Sequence, residues 1–296
     1  MCPKCGSNRT VKNGKQGSSH RFLCRKCKHS FSVYHGKNPK LLWIEHIDGV
    51  PFRKLGDENS LSPAQTYARV IAELNQLPRN DWLTKTLCNP KNFSKILILD
   101  GKYIKVAGFN VRLPFLYGID YLTHDIPCGD LYPAEDYLSF LDFFIRLRDL
   151  GYQPSIVIAD DRGGLKQALN KVFPFSRLQL CHSHYLENIR RQLNTRTDNR
   201  YVHFFNSLKY HVFLKTTDNY TYREAWKYVW REHTQGNRIL QNILKDIDRR
   251  KMELFSYLKI KGAPNNTNLI ELYNSHLNGR LKTIKASKIR SPHKDG

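Results

Sequence analysis

Apolar and polar positions along this chain form runs that predict strands and helices in alternation. The segments 135–148 and 165–172 carry apolar residues at helical spacing and predict amphipathic helices. Apolar runs bounded by turn residues predict strands at 95–107, 113–121, 126–132, 154–159 and 177–181. Strands that alternate with helices in this way predict an α/β fold.

A separate helical pattern precedes the strands, over residues 37–80. An amphipathic helix that ends at Gly49 is followed by a second helix from Pro51, and Ser62 is a suitable N-cap for a third helix beginning at Pro63. This order is expected of a helix-turn-helix module. The residues of the third helix that we then predict to contact DNA are Gln65, Thr66 and Arg69. The alternative is an ordinary three-helix bundle that acts as a spacer.

Cysteine spacing predicts a metal site in the first 36 residues. Four of the seven cysteines form two Cys-x-x-Cys pairs with eighteen residues between them, which is typical of a four-cysteine zinc site. A segment this short buries little core, so we expect zinc to supply most of its folding energy. The predicted ligands are Cys2, Cys5, Cys24 and Cys27. A disulfide pair is the alternative, and two basic residues of the segment, Arg25 and Lys26, are predicted to contact DNA.

Charge narrows the class of partner. The chain has 48 Lys and Arg residues against 26 Asp and Glu residues, a formal net charge of +22. Such a chain attracts polyanions, because each Lys or Arg that meets a phosphate releases condensed counterions. Nucleic acid is therefore the expected partner. The sequence has no apolar run long enough to span a bilayer and no signal-peptide core at its start, so we predict a cytoplasmic protein with reduced cysteines and no membrane partner.

Two aspartates interrupt or end the predicted strands. Asp100 lies within the first strand, and Asp160 directly follows the strand at 154–159. Carboxylates that meet at one edge of a sheet repel each other unless divalent cations bind between them, and such sites can carry out phosphodiester chemistry. A solvated turn at Asp160 and Asp161 is the alternative. Glu271, in the first turn of a later predicted helix, has no distinguishing pattern of its own.

Several other residues are interpreted as structural. Glu135 and Asp136 begin a helix and are expected to interact with its positive end rather than to act in chemistry. Trp226 and Trp230 lie at helical spacing, which is more typical of core packing than of stacking on bases. No role is predicted for His182.

Short motifs from Asp100 onward resemble those of Mutator-like DDE transposases of bacterial and archaeal insertion sequences. The strand that ends in Asp160, the helix start Gly164-Leu165 and the pattern Cys181-x-x-His184 are similar to the second-aspartate block of that family. Thr267-Asn268-x-x-Glu271 looks like its final block, and Asp100-Gly101 looks like its first. The order and spacing of the three blocks together carry the resemblance.

The resemblance implies an RNase H-like catalytic domain with a helical insertion, preceded by the zinc ribbon and the helix-turn-helix module. The cysteine segment is itself similar to the N-terminal finger of small insertion-sequence proteins. The implied divisions are a ribbon over 1–36, a helix-turn-helix module over 37–80, a first catalytic part over 95–190, a helical insertion over 191–262, and a final helix with a basic tail over 263–296. Two Mg²⁺ or Mn²⁺ ions would be bound by Asp100, Asp160 and Glu271, with Cys181 and His184 in a supporting role.

The same resemblance implies metal-dependent DNA cleavage and strand transfer of an insertion sequence. The expected partners are double-stranded DNA of the element's terminal repeats and of the target, with a homodimer or higher oligomer bound to DNA in the nucleoid. Two alternatives stay open. One is a zinc-ribbon and helix-turn-helix regulator that only binds DNA, and the other is a structure-selective nuclease that cuts but does not join.

Overall fold

A computed structural model describes residues 1–16, 19–34, 41–106 and 109–284. Residue contacts divide the chain into two compact units, Met1–Leu77 and Pro78–Gly296. The predicted start of the first helix at Pro39 and the predicted basic tail beyond residue 284 lie outside the described residues.

The first unit begins with a three-stranded antiparallel sheet and two cysteine turns. Backbone hydrogen bonds close the turns, from the Gly6 N–H to Cys2 O and from the Lys28 N–H to Cys24 O, both at 2.9 Å. Gly6 and Lys28 have positive φ angles of 66° and 59°, which turn the chain back after each cysteine pair. The strands, in the order in which they pair, are β1 (Thr10–Gln16), β2 (Ser19–Cys24) and β3 (Ser30–Tyr34).

Three helices complete the first unit, and the third begins where its sequence predicts. The Ser62 hydroxyl accepts a hydrogen bond from the Gln65 N–H at 3.2 Å, and the Gln65 side chain accepts one from the Ser62 N–H at 2.9 Å. This reciprocal capping box satisfies backbone donors that the helix itself leaves unpaired. Each helix contributes a fully buried side chain: Leu42, Leu55 and Val70. The helices are α1 (Leu42–Ile47), α2 (Phe52–Asn59) and α3 (Pro63–Leu74).

A five-stranded mixed sheet forms the centre of the second unit. Its strands are β4 (Ile96–Lys105), β5 (Arg112–Asp120), β6 (Cys128–Leu131), β7 (Ile156–Ala159) and β8 (Arg177–Leu180). They pair in the order β6-β5-β4-β7-β8, with β5 antiparallel to both β6 and β4 and with β7 parallel to both β4 and β8. All five coincide with predicted apolar runs, which confirms the α/β class.

Helices precede, connect and follow these strands. They are α4 (Asn80–Leu87), α5 (Tyr137–Asp149), α6 (Leu165–Val172), α7 (His182–Gln192), α8 (Val202–Ser207), α9 (Asn219–His233), α10 (Arg238–Arg249), α11 (Lys251–Leu254) and α12 (Asn268–Ile284). A π-helical turn, Leu208–Leu214, follows α8 directly. Within the described chain no strand lies between α7 and α12, so the long segment between them is helical.

Side chains of β4 alternate between two apolar layers. Leu97 and Leu99 pack into the larger layer, to which α5, α6 and the helices after α7 also contribute. Ile96 and Ile98 pack into the smaller layer, which includes Ile270 of α12. Successive side chains of a strand point to opposite faces, so a strand that is covered on both faces appears as an unbroken apolar run.

The helices after α7 have an aromatic core of their own. Trp226 stacks on Trp230 with ring centroids 4.9 Å apart, and its Nε1 donates to Leu244 O at 3.0 Å. Both rings are partly buried against the larger apolar layer, which confirms their structural interpretation. No helix in the described part of the chain has the length and apolar character needed to cross a membrane.

Candidate active site

The pairing of β4 with β7 brings two aspartates to one edge of the sheet. Ile98 pairs with Ile158 in parallel register, and Asp100 and Asp160 each lie two residues farther along the chain. Both side chains line one small cavity at this edge. Burial raises the pKa of Asp100, and the negative charge of Asp160 raises it further. The two carboxylates therefore form a like-charged pair at the strand ends.

Helix α12 supplies a hydrogen bond that orients Asp100. Asn274 donates from Nδ2 to Asp100 Oδ2 at 2.7 Å. Tyr117 lies on β5, directly opposite Asp100 of β4 in the strand register. Its hydroxyl donates to Asn274 Oδ1 at 3.0 Å and lies 3.3 Å from Ile270 O. Sequence reasoning missed Tyr117 and Asn274. The available signal was that Asn274 lies three residues after Glu271, on the same face of the helix.

His184 lies between the other two predicted carboxylates. Its Nδ1 is 2.5 Å from Asp160 Oδ1, and its Nε2 is 3.7 Å from Glu271 Oε1. The hydrogen bond to Asp160, and a second to Cys181, raise the pKa of His184 to about 10. The imidazole is therefore cationic at neutral pH and offsets the negative charge around it.

Cys181 completes this group at the N-cap of α7. The hydroxyl of Thr267 donates to Cys181 Sγ at 3.2 Å and lies 3.3 Å from Glu271 Oε1. Burial opposes ionisation of the thiol, but hydrogen bonds with His184 and Thr267 outweigh burial and lower the pKa of Cys181. One ligand atom from each of Asp160, Cys181 and His184 lies within 4.8 Å of the others.

The three predicted carboxylate ligands are spread more widely than that group. Among the described residues, Asp100, Asp160 and Glu271 do not form a cluster in which every ligand atom lies within 4.8 Å of the others. The His184 ring occupies the space between Asp160 and Glu271. Carboxylate oxygens suit Mg²⁺ and Mn²⁺, and a bound cation would relieve the repulsion that raises the pKa of Asp100. The donor chemistry of these residues therefore suits divalent cations, although their present spacing is wider than one shared ion requires.

Glu135 also reaches this cavity, directly before the N-cap of α5, and its interaction with that helix end stays a prediction. Its side chain is 5% exposed, and its Oε2 lies 3.0 Å from Nε of Arg162. Burial raises the pKa of Glu135 and outweighs the opposing effect of Arg162. Asp136 behaves as predicted, because it caps α5 and accepts from the Ser139 N–H at 2.9 Å. The sequence, with two adjacent acidic residues at a helix start, did not indicate which of them caps the helix and which is buried in the cavity.

His182 has a structural position instead of a place in the site. It is buried, and its Nε2 lies 2.6 Å from Leu254 O. Its ring contacts Phe213, Phe255 and Tyr257 edge-on. Burial lowers the pKa of His182 to about 4, so the ring is neutral.

The four N-terminal cysteines converge as their spacing predicts. All four sulfurs lie within 4.8 Å of one another, with Cys2 Sγ 3.6 Å from Cys27 Sγ and Cys5 Sγ 3.7 Å from Cys24 Sγ. Thiolates bound to one zinc at about 2.3 Å are about 3.8 Å apart, so the cluster fits a tetrahedral zinc site. The Cys27 N–H lowers the pKa of Cys24 to about 6. The His29 N–H acts to lower the pKa of Cys27, but burial and the neighbouring thiols outweigh it and raise that pKa to about 12, so Cys24 ionises before Cys27.

The residues predicted to contact DNA differ in exposure. Arg69 is partly exposed and is ion-paired with Glu73 at 3.0 Å. Thr66 requires a correction: it is buried on the same helix face as Val70, and its hydroxyl donates to Ser62 O at 2.9 Å, so it is not accessible to DNA. The exposed members of the set are Arg25, Lys26 and Gln65.

Comparisons with known proteins identify a family for this chain. Residues 59–287 match a family model described as transposase, Mutator family. Over 98 residues the chain is 32% identical to the transposase for insertion sequence element ISRM5 of Rhizobium meliloti (strain 1021), a region that is 31% of this chain and 25% of that protein. The match thus spans about a quarter of that relative's length. Because the family model covers most of the chain, the chain belongs to the Mutator family of transposases.

Proposed function

We propose that this protein catalyses divalent-metal-dependent DNA cleavage and strand transfer, with Asp100, Asp160 and Glu271 as the metal ligands. The observation that carries the proposal is the convergence of these carboxylates, from β4, from the end of β7 and from α12, around a single histidine. They come from three separate parts of the chain, so their proximity depends on the whole second unit. Membership of the Mutator transposase family supports the same chemistry.

The side chains of the site have distinct tasks in this proposal. A pair of bound divalent cations would activate the attacking water or DNA 3′-hydroxyl and stabilise the leaving oxygen. Asp100 and Asp160 would bind and orient the cations from the central sheet, and Glu271 would do so from α12. Asn274 holds the Asp100 carboxylate in one orientation through its 2.7 Å hydrogen bond. His184 pairs with the Asp160 carboxylate when no cation is bound to that carboxylate.

The architecture of the second unit supports an RNase H-like assignment for the catalytic domain. Its central sheet has the mixed order β6-β5-β4-β7-β8, with the aspartates on the adjacent strands β4 and β7. The helices from α8 to α11 lie between the second aspartate and the glutamate in sequence. We therefore assign residues 191–262 to a helical insertion within a catalytic domain that covers 95–190 and 263–296.

The first unit has features that suit recognition of double-stranded DNA. Residues 1–36 contain eight Lys and Arg residues and no Asp or Glu, so phosphate contacts meet no competing acid within the segment. Zinc bound by the four cysteines would hold this ribbon folded. The helix-turn-helix module over 37–80 would add contacts from Gln65 and Arg69 of α3. The sequences at the ends of the element are the proposed targets.

The test is a cleavage and joining assay on labelled DNA taken from either side of the protein's own gene. Asp100→Asn, Asp160→Asn and Glu271→Gln should each lower cleavage by more than about a hundredfold, because loss even of a residue that supports a metal ligand costs about 10–100-fold. DNA binding should persist in all three variants. Asp161→Asn is the matched control, since Asp161 pairs with Arg250 rather than with the site.

Two results would contradict the proposal. Cleavage by Asp100→Asn at the wild-type rate would remove Asp100 from the chemistry. Tight, specific binding by the wild-type protein without any cleavage would instead identify a DNA-binding regulator.

A further inference from the structure

A fourth carboxylate, that of Glu135, is buried at the edge of the sheet where the aspartates meet. Its side chain is 5% exposed, and neither oxygen has a hydrogen-bond partner among the described residues. Its ion-pair partner is Arg162, whose Nε is 3.0 Å from Oε2. Burial of an ionised carboxylate without hydrogen bonds is costly, so its retention at this position calls for a functional explanation.

Gly101 makes room for this carboxylate directly beside Asp100. A Cβ atom built on Gly101 would lie 1.9 Å from Glu135 Oε1, which is far inside van der Waals contact. Gly101 lies in strand β4 and is not among the residues with positive φ, so its backbone does not require glycine. The space taken by Glu135 is what excludes a side chain there.

The carboxylates of Asp100, Asp160 and Glu135 line the same small cavity, together with the guanidinium of Arg162. The cavity has a volume of about 10 Å³, close to the space that one water molecule requires. The three carboxylates supply the oxygen ligands that Mg²⁺ and Mn²⁺ prefer, although among the described residues their ligand atoms do not all lie within 4.8 Å of one another, so cation binding would draw them together.

We propose that Glu135 is a further ligand of the site and binds one divalent cation together with Asp100 and Asp160. Arg162 supplies the compensating positive charge when the cation is not bound. This inference rests on the proposed metal-dependent function and adds a ligand that the DDE motif does not contain.

The ion pair with Arg162 does not by itself explain why the Glu135 carboxylate is buried at this position. A carboxylate that serves to orient an arginine is best placed for two parallel hydrogen bonds. Here neither Glu135 oxygen accepts a hydrogen bond from a described residue, although Arg162 Nε lies 3.0 Å from Oε2, and Oε1 faces Gly101. Arg162 is 45% exposed, so a surface carboxylate would pair with it at lower cost than the buried Glu135.

Binding of Mn²⁺ to the zinc-loaded full-length protein tests the inference, with free Mn²⁺ measured by electron paramagnetic resonance. Glu135→Gln keeps the shape of the side chain and removes its charge, and it should lose a bound Mn²⁺ or bind it at least tenfold more weakly. Gly101→Ala should have the same effect, because its methyl group would displace Glu135. Glu253→Gln is the matched control, since Glu253 pairs with Lys166 and does not line the cavity.

The variant Arg162→Gln distinguishes a Glu135 that binds the cation from a Glu135 that only orients Arg162. If Glu135 is a ligand, removal of the competing guanidinium leaves Mn²⁺ binding as tight as in the wild type, or tighter. Equal loss of cleavage in Arg162→Gln and Glu135→Gln, with wild-type Mn²⁺ binding in both, would mean that Glu135 only orients Arg162 and would overturn the inference.

Asp100→Asn distinguishes failure of this inference from failure of the proposed function. If Asp100→Asn weakens Mn²⁺ binding while Glu135→Gln and Gly101→Ala bind like the wild type, the proposed function stands and the role of Glu135 is rejected. If Asp100→Asn also binds Mn²⁺ like the wild type, both are rejected.

Discussion

At the scale of single residues, His184 bears the positive charge that lies between two carboxylates of the site. Its ring nitrogens face Asp160 and Glu271, and the pKa of His184 is raised from 6.5 to about 10 by hydrogen bonding to Asp160 and then to Cys181. Protons held more tightly in the folded state stabilise that state. The site is therefore held together by a charge that ordinary histidines lose near neutral pH.

His184→Gln should destabilise the magnesium-free protein in a pH-dependent way. The folded-state pKa is raised, so the stabilisation is fully present below the ordinary pKa of 6.5 and is lost as the pH rises through about 10. The difference in unfolding free energy between wild type and variant should be largest near pH 6 and smallest near pH 10, as measured by urea denaturation. His276→Gln, at an exposed position on α12, is the control. A difference that stays constant across this range would contradict the assigned ion pair.

Two adjacent glycines after the second aspartate should respond differently to alanine. Gly164 has a φ of 81°, and a Cβ atom there would lie 2.7 Å from Tyr137 Cα, whereas a Cβ on Gly163 meets nothing within 4 Å. Gly164→Ala should therefore lower the free energy of unfolding by more than about 1 kcal/mol, and Gly163→Ala should change it little. Urea denaturation of both variants measures the contrast. Equal tolerance of the two substitutions would argue against the close approach of α6 to the start of α5.

At the scale of elements, the proposed cysteine ribbon has little core apart from its four-cysteine cluster. Its three strands are short, and among the described side chains of this segment the buried ones are the clustered cysteines Cys2 and Cys24. Too little apolar surface is removed from water to offset the entropy of ordering the strands. Zinc bound by the four cysteines, as we propose, would provide the missing stabilisation.

Cys24→Ser should therefore unfold the ribbon without unfolding the second unit. We expect the variant to bind no zinc at this site and residues 10–34 to lose their protection from hydrogen exchange, while β4 and β7 keep theirs. Cys88→Ser is the matched control, because Cys88 lies outside the four-cysteine cluster. Retention of zinc by Cys24→Ser, or persistence of ribbon protection without zinc, would contradict a metal-dependent fold.

At the scale of the whole molecule, the net charge of +22 makes electrostatics the main long-range force on DNA. Many basic residues are not free to meet phosphate, because acidic side chains already hold them. Arg200, for example, is paired with Asp198 through several short hydrogen bonds. Arg25 and Lys26, by contrast, are exposed in a segment without acids.

Salt dependence of DNA binding should separate these two kinds of basic residue. The double variant Arg25→Gln and Lys26→Gln should reduce the slope of log affinity against log salt by about 2, since each phosphate contact contributes about 1. Arg200→Gln should leave the slope unchanged. Fluorescence anisotropy over a range of salt concentrations measures both. An unchanged slope in the double variant would remove the ribbon from the DNA interface.

The sequence by itself determined the local features of this protein. The α6 helix spans the predicted residues 165–172, the capping box at Ser62 starts α3, and both cysteine pairs lie in turns. Each of these depends on side chains within a few residues of one another, so spacing and propensity are sufficient to predict it. Asp100 and Asp160 could also be singled out as candidate site residues, because each is a charged residue within or directly after an apolar strand.

Only the tertiary structure decided which side chains meet across the site. Asn274 orients Asp100, and Glu135 fills the space beside Gly101, yet each pair is separated by a long stretch of chain. Sequence spacing contains no information on such contacts, which arise from strand order and from the packing of α12 on the sheet. The burial of Thr66 was missed for the same reason, since the side of α3 that faces α2 is set by packing. Local pattern thus determines the elements, whereas the chemistry of the site depends on long-range packing, which has no short-range signal.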